Sequence, residues 1–188
     1  CNLIADYEVE NLIGAIIIAN LNGMSLEKIL KNIKSIKKPS GRLKKISKKN
    51  VSLSIFIDYA HTPEALEKSL KALKSVYDFK GNLILVFGCG GERDKGKRKF
   101  MGIVADNFAD KVFITDDNPR YENAKNIRKE IASACKKAVC IPNRETAISR
   151  AINIMQENDI LLIAGKGHEK YQEIKGSKIP FDDEVVVK

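Results

Sequence analysis

The segment Asp117-Asn118-Pro119-Arg120 combines side chains that could hold a small molecule bearing charges of both signs. The carboxylate of Asp117 accepts hydrogen bonds, the amide of Asn118 donates and accepts them, and Pro119 fixes the backbone angle φ. Arg120 adds a planar fork of donors that can grip a carboxylate through two parallel bonds. A zwitterionic amino acid would satisfy this set. Taken in isolation, however, the segment is better explained as an ordinary turn.

A glycine-rich segment, residues 88–91, is followed by Arg93, Lys95, Lys97 and Arg98. Glycines let backbone amides approach a phosphate, and four cations suit an anion. The spacing matches neither GxGxxG nor GxxxxGK[ST], so the segment is a weak nucleotide motif. A tight turn explains the glycines at least as well, and a solvated charge run that opens a helix explains the cations equally well.

The segment 165–169 places Lys166, His168 and Glu169 around two glycines. The glycines would permit close approach of a ligand, although a bare loop with solvated charges explains the same residues. His61 could contact a base or an acid. A lone histidine near the start of a helix, however, more often caps that helix or packs against it.

These polar segments each follow an apolar run that predicts a β-strand. From about residue 50 such runs alternate with helical patterns, which is typical of a parallel sheet with crossover helices. Thr62-Pro63 has the hydroxyl cap and first-turn proline of a helix start. Because ligands of such sheets bind beyond the carboxyl ends of the strands, the polar segments lie where a site is expected. The predicted strands are Leu53 to Ile57, Leu83 to Phe87, Val112 to Thr115, Ala138 to Ile141 and Ile160 to Ala164.

The two ends of the chain have other patterns. Residues 1–37 predict two helices, the first ended by Asn22-Gly23 and the second capped by Ser25. Two such helices cannot bury their apolar stripes alone, so we expect them to belong to the edge of a larger domain. A turn-rich linker, 38–41, follows them. The tail at 171–181 predicts a hairpin that adds an antiparallel edge strand to the sheet.

The predicted fold is therefore α/β, with a Rossmann-like, mostly parallel sheet that has helices on both faces and an antiparallel edge hairpin. We place the domain boundaries at 1–41 and 42–188. The length of 188 residues and a hydrophobic content of 44% suit one medium domain with a small appendage. No apolar run reaches the roughly 20 residues of a membrane helix, so no membrane partner is expected.

The charge and the cysteine content limit the kinds of partner that can be expected. The net charge of +9 could attract nucleic acid or other anions. Most of the lysines fall on predicted helix faces or in the segment Lys37 to Lys49, and there is no RNA-binding aromatic signature, so a nucleic-acid partner is not expected. The four cysteines form no CxxC pair and are far from His61 and His168 in sequence. We therefore expect reduced thiols, no metal site and a cytoplasmic location.

Because Cys1 stands where a Met is usual and no signal peptide follows it, the chain is expected to be a fragment.

Five motifs stand in order along the chain: Ser40-Gly41-Arg42, Asp58 to Pro63, Phe87 to Arg98, Asp117 to Arg120 and Gly165 to Glu169. In sequence, order and spacing they closely resemble the Mur ligase family, in particular the members that add the third residue of the peptide. The match covers essentially the whole chain. Residues 7–20 are similar to the helix that ends the family's central ATPase domain, and Asp-Asn-Pro-Arg is typical of its meso-diaminopimelate enzymes.

The resemblance implies a ligase that uses ATP and Mg²⁺ to phosphorylate the D-glutamate carboxylate of UDP-N-acetylmuramoyl-L-alanyl-D-glutamate. The incoming amine then displaces phosphate through a tetrahedral intermediate. By position, the residues implied to bind meso-diaminopimelate are Arg93, Asp117, Asn118, Pro119, Arg120, Gly165 and Glu169. Those implied to line the ATP side are Asn11, Arg42, Asp58 and His61.

Other parts of the family pattern have no counterpart in this sequence. Nothing matches the phosphate-binding loop, the Mg²⁺-binding glutamate and histidine, the modified lysine or the uridine-binding domain. We therefore expect the chain alone to be inactive, and a separate N-terminal half to be a partner if the gene is split.

Two alternative functions stay open. One is a folylpolyglutamate synthetase-like ligase, against which the segments 117–120 and 165–169 argue. The other is a non-catalytic module that binds an amino acid or an anion.

Overall fold

The computed structural model describes residues 3, 5–36, 39–48, 51–76 and 80–188. The chain divides into two compact units, Cys1–Pro39 and Ser40–Lys188. Cys1 and Lys38, the first residue of the expected linker, lie outside the described residues. No helix in the described parts of the chain is long and apolar enough to cross a membrane.

The first unit contains the two predicted helices. Helix α1 spans Asp6–Leu21, and α2 spans Leu26–Asn32 with a short 3-10 turn at Ile33–Ser35. The Ser25 hydroxyl caps α2 by accepting a hydrogen bond from the Lys28 N–H at 3.4 Å. Much of the apolar surface of these helices is exposed. It includes Val9, Ile13, Ile17, Ile18, Leu21, Leu26 and Leu30, with exposures from 43% to 80%.

A six-stranded sheet forms the centre of the second unit. The strands follow the order β1-β2-β6-β3-β4-β5, in which β1 is antiparallel to β2 and all other neighbours are parallel. The five predicted strands are present, with small shifts at their ends. The bounds are β1 Lys44–Lys48, β2 Val51–Asp58, β3 Leu83–Phe87, β4 Lys111–Ile114, β5 Ala138–Cys140 and β6 Ile160–Ala164.

Helices cover both faces of this sheet, as predicted. One face packs Ile84 and Leu161 against Ile148 of α6 and Val187 of α7. Side chains alternate along a strand, so buried neighbours such as Leu85 point to the opposite face, which α3, α4 and α5 cover. The helices are α3 Pro63–Val76, α4 Lys97–Phe108, α5 Ala124–Ala132, α6 Arg144–Asn153 and α7 Asp183–Val187. Helix α3 begins at Pro63, and the Thr62 hydroxyl accepts from the Ala65 N–H at 3.2 Å, as the sequence indicates.

The tail forms the predicted hairpin, but its expected place at the edge of the sheet is wrong. Strands β7, Tyr171–Ile174, and β8, Ser177–Pro180, make a separate two-stranded sheet. The antiparallel edge is β1 instead. Lysine occupies three of the five positions of β1, and Ile46 is its buried apolar residue, so the sequence resembles a solvated charge run. Lysines on an edge strand keep other chains from pairing with it, which is a physical reason for this composition.

Candidate functional site

The order of the strands determines which loops meet. Strand β6 lies between β2 and β3, so the loop after it lies between the loops that follow those two strands. The loop after β4 lies one strand further along. Residue Gly165 of the β6 loop reaches that loop, since a Cβ atom added to it would come 2.9 Å from Oδ2 of Asp117. The carboxyl edge of the sheet thus brings the segments 117–120 and 165–169 together.

The glycine-rich segment after β3 supports the β4 loop from behind. A Cβ atom on Gly88 would lie 2.2 Å from the carbonyl oxygen of Thr115, and one on Gly91 would lie 2.1 Å from that of Pro119. The Gly91 N–H also donates to the carbonyl of Asn118 at 2.9 Å. These glycines are therefore occupied in backbone packing, which favours the tight-turn interpretation over a phosphate cradle.

Lys166 lies at the centre of a buried polar cluster. Its side chain is fully buried, and Nζ donates to Oδ1 of Asn118 at 2.9 Å and to Oε2 of Glu169 at 3.4 Å. Nδ2 of Asn118 donates to the same carboxylate oxygen at 2.9 Å. Oδ1 of Asn118 also accepts from the Glu173 N–H at 3.0 Å. These bonds fix the amide of Asn118 in one orientation, with its oxygen toward Lys166 and its nitrogen toward Glu169.

Arg120 has an unusual backbone and a partly engaged guanidinium. Its φ of 50° lies in the left-handed region, which residues other than glycine rarely adopt. Nε donates to Oε2 of Glu173 at 3.0 Å, and Nη1 donates to the carbonyl of Gly91 at 2.7 Å. Among the described residues, nothing accepts a hydrogen bond from Nη2. The side chain is 17% exposed, and the two hydrogens of Nη2 and the second hydrogen of Nη1 are the donors that remain for a ligand.

A second buried cation lies near this edge of the sheet. The guanidinium of Arg144 is fully buried, and it pairs with Asp183 through two bonds of 2.8 Å. It also donates to the carbonyl of Ala164, immediately before Gly165, at 3.1 Å. Burial alone would lower the pKa of Arg144, but the charge and hydrogen bonds of Asp183 raise it, and the charges of Asp117 and Glu169 act in the same direction. Sequence reasoning missed both Arg144 and Asp183.

The basic run after the glycines does not form a single anion site. Arg98 is fully buried and pairs with Glu122 and Glu130 at 3.0 Å each. The Nζ of Lys97 donates to the carbonyl of His61 at 2.7 Å. Arg93 is exposed and makes no hydrogen bond or ion pair with the described residues. The Nζ of Lys95 lies 3.6 Å from Oε2 of Glu122. Arg93 is therefore the cation of this run that has no partner among the described residues and is available to an external anion.

Two ionisable groups beside the site have perturbed pKa values. Burial would raise the pKa of Glu122, but the Glu92 N–H and the Arg98 guanidinium together lower it below its ordinary value. Burial raises the pKa of the Cys89 thiol to about 12. A thiol that stays protonated is a poor nucleophile, so Cys89 is not a candidate for covalent chemistry.

Aromatic and cationic side chains gather beyond β2. The guanidinium carbon of Arg42 lies 4.9 Å from the centre of the Tyr59 ring. The rings of His61 and His168 have their centres 4.7 Å and 5.3 Å from that of Tyr59. Nδ1 of His61 lies 2.9 Å from the carbonyl oxygen of Tyr59. A planar ligand could stack here. Sequence reasoning selected Arg42 and His61 but not Tyr59.

Asp58 and Asn11, the other two residues expected on the ATP side, have different surroundings from Arg42 and His61. Asp58 is buried, and its carboxylate accepts from the Leu43 N–H at 3.1 Å, the Tyr59 N–H at 2.9 Å and the Ser69 hydroxyl. It holds the backbone just after Arg42. Asn11 is exposed on α1, in the other unit. Its grouping with the residues of the second unit stays a prediction.

The described residues contain no group of three or more histidine, cysteine, aspartate or glutamate side chains that could hold a metal ion. Because its glycines pack against the backbone of the β4 loop, the segment 88–91 does not form a cradle for the phosphates of ATP. The described residues do bring hydrogen-bond donors and acceptors together in a candidate binding site.

Three comparisons relate the chain to known proteins. The model of the family described as "Mur ligase, glutamate ligase domain" matches residues 41–167. Ligases named UDP-N-acetylmuramoyl-L-alanyl-D-glutamate–2,6-diaminopimelate ligase, from Rickettsia conorii and Anaplasma marginale, are 46% and 43% identical to it over 188 and 187 residues. Each alignment covers 99% of this chain and 38% of the relative. The chain thus spans well under half the length of these relatives.

Solved structures agree with this relation. A structure bearing the same ligase name has a TM-score of 0.74 and 39% identity, covering 98% of this chain and 38% of the other. A Mycobacterium tuberculosis folylpolyglutamate synthase has a TM-score of 0.68 with 18% identity, covering 87% of this chain and 38% of the other, which shows a shared fold alone. The matched region 41–167 is well over half of the chain and includes the loops after β2, β3 and β4. The chain therefore belongs to the Mur ligase family.

Proposed function

We propose that this chain supplies the amino-acid-binding part of an ATP-dependent ligase that adds meso-diaminopimelate to UDP-N-acetylmuramoyl-L-alanyl-D-glutamate. The observation that carries the proposal is the cluster of Asn118, Arg120, Lys166 and Glu169 at one edge of the sheet. It offers Nη2 of Arg120, which has no acceptor among the described residues, and the carboxylate of Glu169. Glu173 links these two parts of the cluster, since its carboxylate accepts from Nε of Arg120 and its N–H donates to Oδ1 of Asn118. An ammonium and a carboxylate on one carbon atom need this pair of partners.

Each residue has a distinct role in this proposal. Arg120 binds the distal carboxylate of meso-diaminopimelate, the group that lysine lacks. Glu169 accepts from the neighbouring ammonium group, and the amide of Asn118, which donates to Glu169 at 2.9 Å, takes part in binding the ammonium and carboxylate groups beside it. Arg93 adds an exposed cation for a carboxylate. The remaining residues of the site, Asp117, Pro119 and Gly165, shape the loops that hold these groups.

The chain's contribution to the reaction is to bind and orient the incoming amine. ATP would supply the phosphoryl group that activates the D-glutamate carboxylate. We assign the binding of Mg²⁺ and of the phosphates to the part of the relatives' length that this chain does not span. The cluster of Arg42, Tyr59, His61 and His168 would contact the base or ribose of the nucleotide.

Substitution of Arg120 tests this function. The Arg120→Ala chain should bind meso-diaminopimelate at least tenfold more weakly in calorimetry, since removing one partner of a desolvated charge pair costs on the order of 2 to 5 kcal/mol. Binding of lysine should fall much less, because lysine has no carboxylate there. Arg120→Lys should restore binding in part, since a point charge cannot replace a planar fork.

The matched control is Arg150→Ala, which removes an exposed arginine of α6 and should change neither affinity. If Arg120→Ala leaves the preference for meso-diaminopimelate over lysine unchanged, the segment 117–120 is a plain turn and the proposal is wrong.

A non-catalytic module that binds an amino acid is the second candidate. It rests on the same cluster, in which Asn118, Lys166 and Glu169 offer hydrogen-bond donors and acceptors to a ligand. Both candidates predict binding of meso-diaminopimelate. Turnover after mixing this chain with the N-terminal part of a relative supports the ligase, whereas binding with no turnover under the same conditions supports the module.

A further inference from the structure

The β7–β8 hairpin is fastened to the loop after β4. The Arg120 N–H donates to the carbonyl of Glu173 at 3.0 Å, and the Lys175 N–H donates to the carbonyl of Arg120 at 2.9 Å. The side-chain amide of Gln172 donates to the carbonyls of Asp116 and Asp117 at 3.0 Å each. The hairpin therefore holds the backbone of this loop on both sides of Asn118.

This attachment stabilises an unfavourable conformation. Arg120 has the φ of 50° noted above, and its backbone N–H and carbonyl both bond to β7 or the turn after it. Non-glycine residues in this region persist only where surrounding structure holds them, and they concentrate at functional sites. The backbone of Arg120 is thus kept in place by the hairpin.

Glu173 also holds the side chain of Arg120 in place. Its carboxylate accepts from Nε of Arg120 at 3.0 Å, while the carbonyl of Gly91 accepts from Nη1. Two of the three guanidinium nitrogens are thereby engaged, while Nη2 has no acceptor among the described residues and the side chain is 17% exposed. An arginine side chain has several rotatable bonds, so these two contacts restrict it to one orientation.

We propose that Glu173 is a positioning residue that determines the selectivity of the site for an amino acid with a distal carboxylate. The proposal rests on the proposed function. It adds that Arg120 distinguishes meso-diaminopimelate from lysine because Glu173 orients its guanidinium.

Two substitutions on the 188-residue chain separate orientation from charge. Glu173→Ala removes the acceptor, and should raise the dissociation constant for meso-diaminopimelate roughly five- to tenfold while that for lysine changes less than about twofold. Glu173→Gln keeps an oxygen acceptor for Nε without the charge, and should stay within about twofold of the original chain. Lys178→Ala, opposite Glu173 on β8, is the matched control and should change neither value.

A second readout needs no ligand. The Nε–H of Arg120, observed by nitrogen-15 NMR, should exchange slowly with water in the original chain and in Glu173→Gln, and at least tenfold faster in Glu173→Ala. Thermal melting shows whether each variant folds. If Glu173→Ala does not fold, Glu173→Asp replaces it, because the shorter side chain withdraws the acceptor.

Each outcome decides the proposal. Unchanged Nε–H exchange or unchanged selectivity in a folded Glu173→Ala overturns it. Tighter binding by Glu173→Gln also overturns it, since Glu173 would then compete with the ligand for Arg120. If the original chain does not prefer meso-diaminopimelate to lysine, the proposed function fails, while the NMR signal still shows whether Glu173 orients Arg120.

Discussion

At the scale of single residues, Lys166 is the least expected feature of the site. A fully buried lysine is rare, because removing its charge from water is costly unless partners compensate. Its partners here are Oδ1 of Asn118 and the carboxylate of Glu169. Such a pair gains little stability over apolar side chains of similar size, although removing one partner is costly. We therefore infer that its value lies in fixing the amide of Asn118 against Glu169, which is proposed to bind the substrate.

Substitution of Lys166 by methionine tests this interpretation. Methionine fills a similar volume but cannot donate, so Oδ1 of Asn118 keeps only the Glu173 N–H and the amide can turn. Binding of meso-diaminopimelate should weaken about tenfold, and the free energy of unfolding should fall by about 1 to 3 kcal/mol. Calorimetry and urea unfolding measure the two quantities. The control is Lys170→Met, which changes a 79% exposed side chain in the same segment and should affect neither. Unaltered binding by Lys166→Met would remove Lys166 from the site.

At the scale of elements, α7 depends on its contacts. A helix of five residues is not stable alone, so α7 is held by tertiary packing. Val187 is buried against the core, and Asp183 pairs with Arg144 of α6. Because Arg144 also donates to the carbonyl of Ala164, this pair connects the end of the chain to the start of the β6 loop.

Removal of Asp183 should therefore destabilise the second unit. Asp183→Ala leaves a buried guanidinium without its counter-ion, and the free energy of unfolding should fall by about 3 to 5 kcal/mol in urea titrations. The neighbouring Glu184→Ala removes partly exposed ion pairs with Lys44 and Lys188 and should cost at most about 1 kcal/mol. Equal losses in the two variants would mean that the Arg144 pair adds nothing specific.

The elements also show where sequence reasoning succeeds. The runs Leu83–Phe87 and Ile160–Ala164 are buried throughout, and continuous apolar runs of this length predict parallel strands with helices on both faces. Once the strands are known, the carboxyl-edge rule brings the segments 117–120 and 165–169 close together before any coordinates are available.

Other features depend on contacts between distant residues. Strand β1 is rich in lysine, and α7 is too short for a helical period, so neither has a local signal. The hairpin is predictable from Gly176-Ser177, but its attachment to Arg120 is not, because more than 50 residues separate Glu173 from Arg120 and no periodic pattern links them. The pairing of Arg144 with Asp183 could not be predicted for the same reason. In the sequence, a buried ion pair looks the same as two charged residues on the surface.

At the scale of the whole molecule, the two units differ in how they are stabilised. In the second unit, β3 and β6 lie in the middle of the sheet, with every residue buried. In the first, Glu8 is the buried residue within α1 and Ile29 the one within α2, and many apolar side chains of both helices are exposed. Helices of this length are marginal in water without tertiary contacts, so we expect the first unit to open more readily.

Hydrogen exchange on the purified chain should resolve this difference. Amides of β3 and β6 should exchange only through global unfolding of the second unit, whereas those of α1 and α2 should exchange through local opening, on the order of 100-fold faster or more. Amides of α5, a helix of 9 residues in the second unit, are the control for helix length. Because α5 buries Ile127 and Ile131, its amides should be well protected. If the amides of α1 and α2 are protected as strongly as those of β3 and β6, the exposed apolar side chains do not reduce the stability of the first unit. The two units would then be equally stable against opening.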